Sequence, residues 1–165
     1  MKKIVFLIMI VLMSSSVLGL THITTCAGLQ NMKNNLVEDY VLDNDINCDV
    51  SPYNTGSGFE PVGSSSSKFT GSLDGDGYAI TGLYISRAGV SNVGLFGNTY
   101  TGASVSNLIL ENVDITGGDA TGALVGSAED LDNTFTQIKV SGSVHGTIRY
   151  TGGIIGVLFK GDLIR

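Results

Sequence analysis

Asp74-Gly75-Asp76-Gly77 is the stretch whose residue types come nearest to chemistry. Turns rich in Asp and Gly bind calcium when they supply six or more oxygens. The next acid along the chain is Glu111, so no bidentate carboxylate follows at the spacing of a calcium loop. The same four residues suit a tight turn, because Asp and Gly tolerate its backbone angles. That is the preferred reading. A second constellation joins Asp43 and Asp45 to Asp74 and Asp76, which would share one face if the chain coils on itself. Polysaccharide lyases and hydrolases use such acids as an acid/base pair or beside a basic partner. Lys68 is the closest basic candidate, so a solvated acidic face is preferred and a carbohydrate-active enzyme is the alternative. No catalytic residue, metal ligand or cofactor is assigned.

The remaining reactive types are sparser. His22 is expected to be exposed, and His145 has no second histidine or patterned acid beside it. No serine sits in a Gly-x-Ser-x-Gly turn of the nucleophile-elbow kind. Tyr84, Tyr100 and Tyr150 are candidates for a sugar-binding face, although scattered aromatics more often serve structure. Cys26 and Cys48 are the two cysteines. In an oxidising compartment they are disulfide candidates, and a bridge over that spacing would stabilise by about 3 kcal/mol in the chain-entropy model. The alternative is two buried thiols. Metal binding is disfavoured because only His22 lies near them.

The compartment follows from the first residues. Lys2 and Lys3 precede an unbroken apolar run, Ile4 to Met13, then Ser14 to Ser16 and the small or modest residues Val17 and Gly19. This is the pattern of an export leader, residues 1–19, cut after Gly19. An uncleaved anchor is the alternative, since the run to Leu20 nears spanning length. A secreted or cell-surface destination is expected, with no membrane insertion after cleavage. The full chain has nine basic and fifteen acidic residues. Losing Lys2 and Lys3 leaves seven basic residues and a net charge of −8. That field repels a phosphate backbone, so nucleic acid is excluded as a partner. A protein or glycan surface is compatible with it.

The elements that would position these residues repeat along the chain. Three boxes stand out: Val93-Gly-Leu-Phe-Gly97, Gly122-Ala-Leu-Val-Gly126 and Gly152-Gly-Ile-Ile-Gly156. Their last glycines are 29 and 30 residues apart, and each box follows a strand-like run. Leu108 stands 16 residues before Leu124, and Ile138 stands 16 before Ile154. A period near 30 with strands and no helical spacing indicates a solenoid of strands, an all-β parallel β-helix. Stacked turns would place Leu95, Leu124 and Ile154 in one interior column. Leu110 with Val140, and Leu108 with Ile138, are expected to stack likewise. Gly97, Gly126 and Gly156 are expected at corners, where bends favour positive φ. Within Leu108 to Ile115, Leu108 and Leu110 point inward. The Glu111-Asn112 step then resets the phase, so that Val113 and Ile115 also face in.

The N-terminal part reads differently. Residues 20–38 form a cap segment, with Thr25 capping a short helix whose Leu29, Met32 and Leu36 share a face. Tyr40 to Ile46 and Phe69 to Leu73 each read as one strand, Phe59 to Val62 as a short one, and 51–58 and 63–68 as loops. The β-helix is expected over 39–165. Its second end, Val157 to Arg165, carries no visible cap, which marks either a truncated product or an end that meets another chain or further repeats.

The stretches Tyr40 to Ile46 and Phe69 to Leu83, with the three glycine boxes, resemble GLUG-motif repeats of large exported bacterial proteins, adhesin-like proteins among them. The resemblance covers roughly residues 24–156. It implies a right-handed parallel β-helix with a short N-terminal capping helix, an exported destination and no catalytic residue. The expected function is a non-catalytic structural, adhesive or ligand-binding module of a larger cell-surface or secreted protein.

Overall fold

The computed structural model describes residues 19–130 and 132–159. The leader expected over 1–19 lies outside the described residues except for Gly19. In chain order the elements are β1 (Thr21–Ile23), α1 (Cys26–Asn31) running into a 3-10 turn at Met32–Asn34, β2 (Asp39–Leu42), β3 (Ile46–Asn47), β4 (Ser72–Asp74), β5 (Ala79–Thr81), β6 (Tyr84–Ser86), β7 (Phe96–Thr99), β8 (Ser104–Ser106), β9 (Ile109–Gly117), β10 (Val125–Glu129), β11 (Thr134–Thr136), β12 (Lys139–Gly146) and β13 (Ile155–Phe159).

These strands line three parallel sheets. The first runs β1-β2-β4-β8-β11, the second β3-β5-β9-β12 with β6 also on β9, and the third β7-β10-β13. Each strand pairs with its counterpart one turn away, which gives a parallel β-solenoid of about four turns. Ser104 pairs with Thr134, Ile109 with Lys139 and Val125 with Ile155. An offset of 30 residues therefore recurs in all three sheets at the C-terminal end, falling to 29 in the second half of the β9–β12 pairing. The first turn is longer, Asp39 pairing with Ser72, because the loops over 51–58 and 63–68 swing out of it.

The repeat works because equal offsets stack equal side chains. Tyr40, Leu73, Val105 and Phe135 lie in register across the first sheet, all buried. Ile46, Ile80, Leu110 and Val140 lie in register in the second, the first three buried and Val140 half-buried. Leu95, Leu124 and Ile154 immediately precede the registered residues Phe96, Val125 and Ile155, so they sit above one another. Leu95 and Leu124 are fully buried, and Ile154 is half-buried at the last described turn. Leu108 is buried over a half-buried Ile138, next to the pair Ile109 and Lys139. Phe69 packs on Phe96 with ring centroids 4.6 Å apart and on Tyr40 at 6.5 Å. Truncating one fully buried leucine of such a column to alanine costs about 2–5 kcal/mol.

The bends are made by left-handed residues that also stack in columns. Val93, Thr121 and Thr151 pair in series. The residues just before them, Asn92, Ala120 and Tyr150, have φ of 61°, 56° and 52°. Asn107 and Gln137 repeat the device between the first and second sheets, with φ of 52° and 53°. Asn112, at φ 52°, is the phase reset inside β9, leaving Val113 and Ile115 buried and Asp114 exposed. In β12 the corresponding place is a bulge between Val140 and Gly142.

Gly97, Gly126 and Gly156 are not at these corners. They lie inside β7, β10 and β13, and none has positive φ. Their role is close approach. A Cβ on Gly126 would fall 2.5 Å from the backbone of Asn92 and Val93, and one on Gly156 would fall 2.5 Å from Thr121 N. Two strand assignments also change. Tyr40 to Ile46 is two strands, β2 and β3, with a corner at Asp43–Asp45. Phe69 ends one turn, bridging Thr99 in parallel, whereas Ser72 begins the next, and the corner falls at Thr70–Gly71.

The first end of the stack is closed by α1. The Thr25 side chain accepts from Gly28 N at 3.1 Å, and Cys26 and Leu29 are buried on the core. The helix is shorter than its apolar spacing suggests, since Met32 lies in the 3-10 turn and Leu36 beyond it. Cys26 and Cys48 form a disulfide with Cα atoms 5.2 Å apart, which ties the cap to the first turn. Gln30 adds a two-way clamp on the Glu60 backbone, donating to its carbonyl and accepting from its N–H, each at 2.8 Å.

Candidate functional site

The four aspartates singled out by their spacing do not form a reacting pair. Asp43 meets His22 Nδ1 at 2.6 Å. Asp45 accepts from Ala79 N at 2.9 Å, across one turn. Asp74 Oδ1 accepts from both Asp76 N and Asn107 Nδ2 at 2.9 Å, which closes the Asp-Gly turn and ties it to the next coil. The carboxylates of Asp43, Asp45 and Asp74 are thus occupied in holding bends. Among the described residues, no group of three or more His, Cys, Asp or Glu is placed to hold a metal ion. Lys68 is drawn elsewhere, to Glu129 at 2.5 Å.

Among the described residues a groove of about 540 Å³ lies across β3, β5, β6 and β9. Asn47, Asp49, Asn54, Thr81, Tyr84 and Asp114 line it. Parallel stacking brings these residues together from three turns, since Asn47 pairs with Thr81 and Tyr84 with Asp114. Asp49 N donates to Asn47 Oδ1 at 2.9 Å, and Asn54 Nδ2 donates to Asp49 Oδ1 at 3.1 Å. The Tyr84 ring lies against Gly58, where an added Cβ would come 2.7 Å from its Cδ1. The lining offers amides, hydroxyls, carboxylates and one aromatic ring, but no Lys, Arg or His. It is equipped to hydrogen-bond a hydroxyl-rich surface. Of the three tyrosines picked out in the sequence, only Tyr84 is in this groove. Tyr100 lies beneath Lys68, and Tyr150 beside Arg149. Asp49 and Asp114 carried no local motif; only the offset between coils brings them together.

Perturbed ionisations lie outside the groove. The Lys33 ammonium, by hydrogen bond first, holds the Glu60 carboxyl below its usual range. Burial, and then the Glu38 carboxylate, pushes the Tyr40 phenol up. The hydrogen bond to Asp119 raises the Arg149 guanidinium further.

At the last described turn the interior is half open. Ile138, Val140, Val144 and Ile154 are half-buried, and Ile148, Tyr150 and Phe159 are exposed. No described helix is long and apolar enough to cross a membrane.

Two known proteins share this sequence pattern. Over 128 residues, 73% of the chain, it is 38% identical to halomucin of Haloquadratum walsbyi. Over 79 residues, 46% of the chain, it is 40% identical to a putative Gly-rich membrane protein of Evansella cellulosilytica. The matched stretch spans 1% of the first protein and 9% of the second. No family model matches the chain. No solved structure matches it.

Proposed function

We propose that this chain is an exported, non-catalytic structural and interaction module of the GLUG-repeat kind, working at a cell surface or in a secreted protein. The observation that carries the reading is the parallel stacking of turn on turn, with Asp43, Asp45 and Asp74 held at bends. The similarity to short stretches of halomucin and of a Gly-rich membrane protein supports a surface setting. In this reading the solenoid is a rigid spacer. Its polar groove over β3, β5 and β9 is the contact face for a glycan or protein surface. The half-open last turn is the face on which further coils or another chain stack, because unpaired strand edges and apolar side chains favour that addition.

The experiment incubates the exported protein with a panel of plant and bacterial polysaccharides and reads both retention and released sugar. The reading predicts no released sugar from any substrate. Release that disappears in Asp45→Asn or Asp74→Asn would instead establish a lyase or hydrolase on this scaffold.

A further inference from the structure

The third sheet holds a group of side chains that neither the fold nor the groove accounts for. Phe69 bridges Thr99 in parallel, and its N–H donates to the Asn98 carbonyl at 3.0 Å. Lys68 and Asn98 are therefore neighbours on adjacent turns. Asn98 in turn pairs with Ser127 of the third turn, and Glu129 stands two residues further along that strand. Strand residues two apart share a face. Lys68 reaches across the turn that carries Asn98 to place Nζ 2.5 Å from Glu129 Oε2. Asn98 Nδ2 donates to the other oxygen, Glu129 Oε1, at 2.7 Å. One carboxylate thus holds an amine and a carboxamide from two different coils.

The surroundings suit reaction between them. Asn98 is fully buried, and its Oδ1 has no hydrogen-bond partner among the described residues. An orphaned buried carbonyl is costly, so Asn98 is a poor choice for packing alone. The Tyr100 ring lies 4.6 Å from Lys68 Nζ and shields it on one side. The Lys68 and Glu129 side chains keep only 27% and 31% of their exposure, so bulk water has limited access.

We propose that Lys68 and Asn98 become joined by an isopeptide bond, with Glu129 as the proton carrier. Glu129 takes a proton from the Lys68 ammonium, and the freed Nζ lone pair attacks Asn98 Cγ. The tetrahedral centre collapses with a new Cγ–Nζ bond and loss of the Cγ–Nδ2 bond. In all, two protons pass from Nζ through the carboxylate to the departing nitrogen, which leaves as ammonium. Glu129 ends as it began, and nothing is oxidised or reduced. The geometry is that of general acid–base catalysis, since the nitrogen that must lose protons and the nitrogen that must gain them touch the same group. The product staples the first turn to the second, as Cys26–Cys48 ties the cap to the first. Unlike the disulfide, it survives reduction.

Mass spectrometry of the purified full chain tests this directly. After leader removal and disulfide reduction are accounted for, the expected mass falls short of the sequence by one ammonia, about 17 Da. Trypsin is then expected to leave a branched species joining 34–87, uncut at Lys68, to 88–139. A cyclic imide at Asn98 would give the same mass loss, so fragment ions spanning both peptides decide. The variants Glu129→Gln and Lys68→Arg are expected at full mass with no branched species. Lys68→Arg keeps the positive charge beside Glu129 and serves if Glu129→Gln fails to fold. Folded wild-type protein at full mass, an imide without a branched peptide, or a branched peptide persisting in folded Glu129→Gln would each overturn the proposal.

Discussion

Eight described residues other than glycine hold positive φ, and together they set where the chain turns. Left-handed backbone costs an ordinary L-residue roughly 1–2 kcal/mol, and glycine avoids this at a smaller entropic cost of about 0.5–1 kcal/mol. Gln137 is exposed at φ 53°, so Gln137→Gly should stabilise by about 0.5–1 kcal/mol, read as a raised midpoint in chemical denaturation. Gly126 gives the opposite sign. Its φ is ordinary, but a Cβ would strike backbone at 2.5 Å, so Gly126→Ala should destabilise by about 1–3 kcal/mol in the same measurement. The glycine boxes were visible in the sequence, whereas their cause was not. Spacing shows that a glycine recurs; only packed backbones show whether it serves φ or proximity. Ala120, Gln137 and Tyr150 are corner residues without any local signal, because none of the three is a usual left-handed type.

Short elements here hold by what is stacked on them. α1 has six residues, too few to persist alone, and relies on Thr25, the Gln30 clamp and the disulfide. Replacing both cysteines by serine should lower stability by about 3 kcal/mol in denaturant unfolding, and should speed amide exchange first at residues 26–36. Uniform exchange across the chain would mean that the bridge stabilises the whole stack and does not pin the cap. The helix and its capping threonine were legible from residue types. The strand borders at Asp43–Asp45 and Thr70–Gly71 were not, because a solenoid strand of three or four residues flows into the next with apolar residues on both sides of the corner. The groove was invisible for a related reason. Asn47, Thr81 and Asn112 are unremarkable singly and become one surface only when the offset between turns is known.

At the scale of the molecule the architecture is one-dimensional. Strand pairing links each turn to its neighbours, with Lys68–Glu129 a longer-range contact, so stability and length should grow with turn number. The 29- and 30-residue spacing of the boxes contained this information, and so the solenoid was legible before any strand border was. The longer first turn, with its loops over 51–58 and 63–68, was less so, because insertions there leave the register of Tyr40 over Leu73 untouched. The most direct measurement inserts three further copies of residues 104–133 after Asn133 and determines the length of the purified protein by small-angle scattering. The account predicts a folded rod longer by about 14 Å, from a rise of ~4.8 Å per turn. A variant that folds without lengthening, or that loses its β structure, would contradict it.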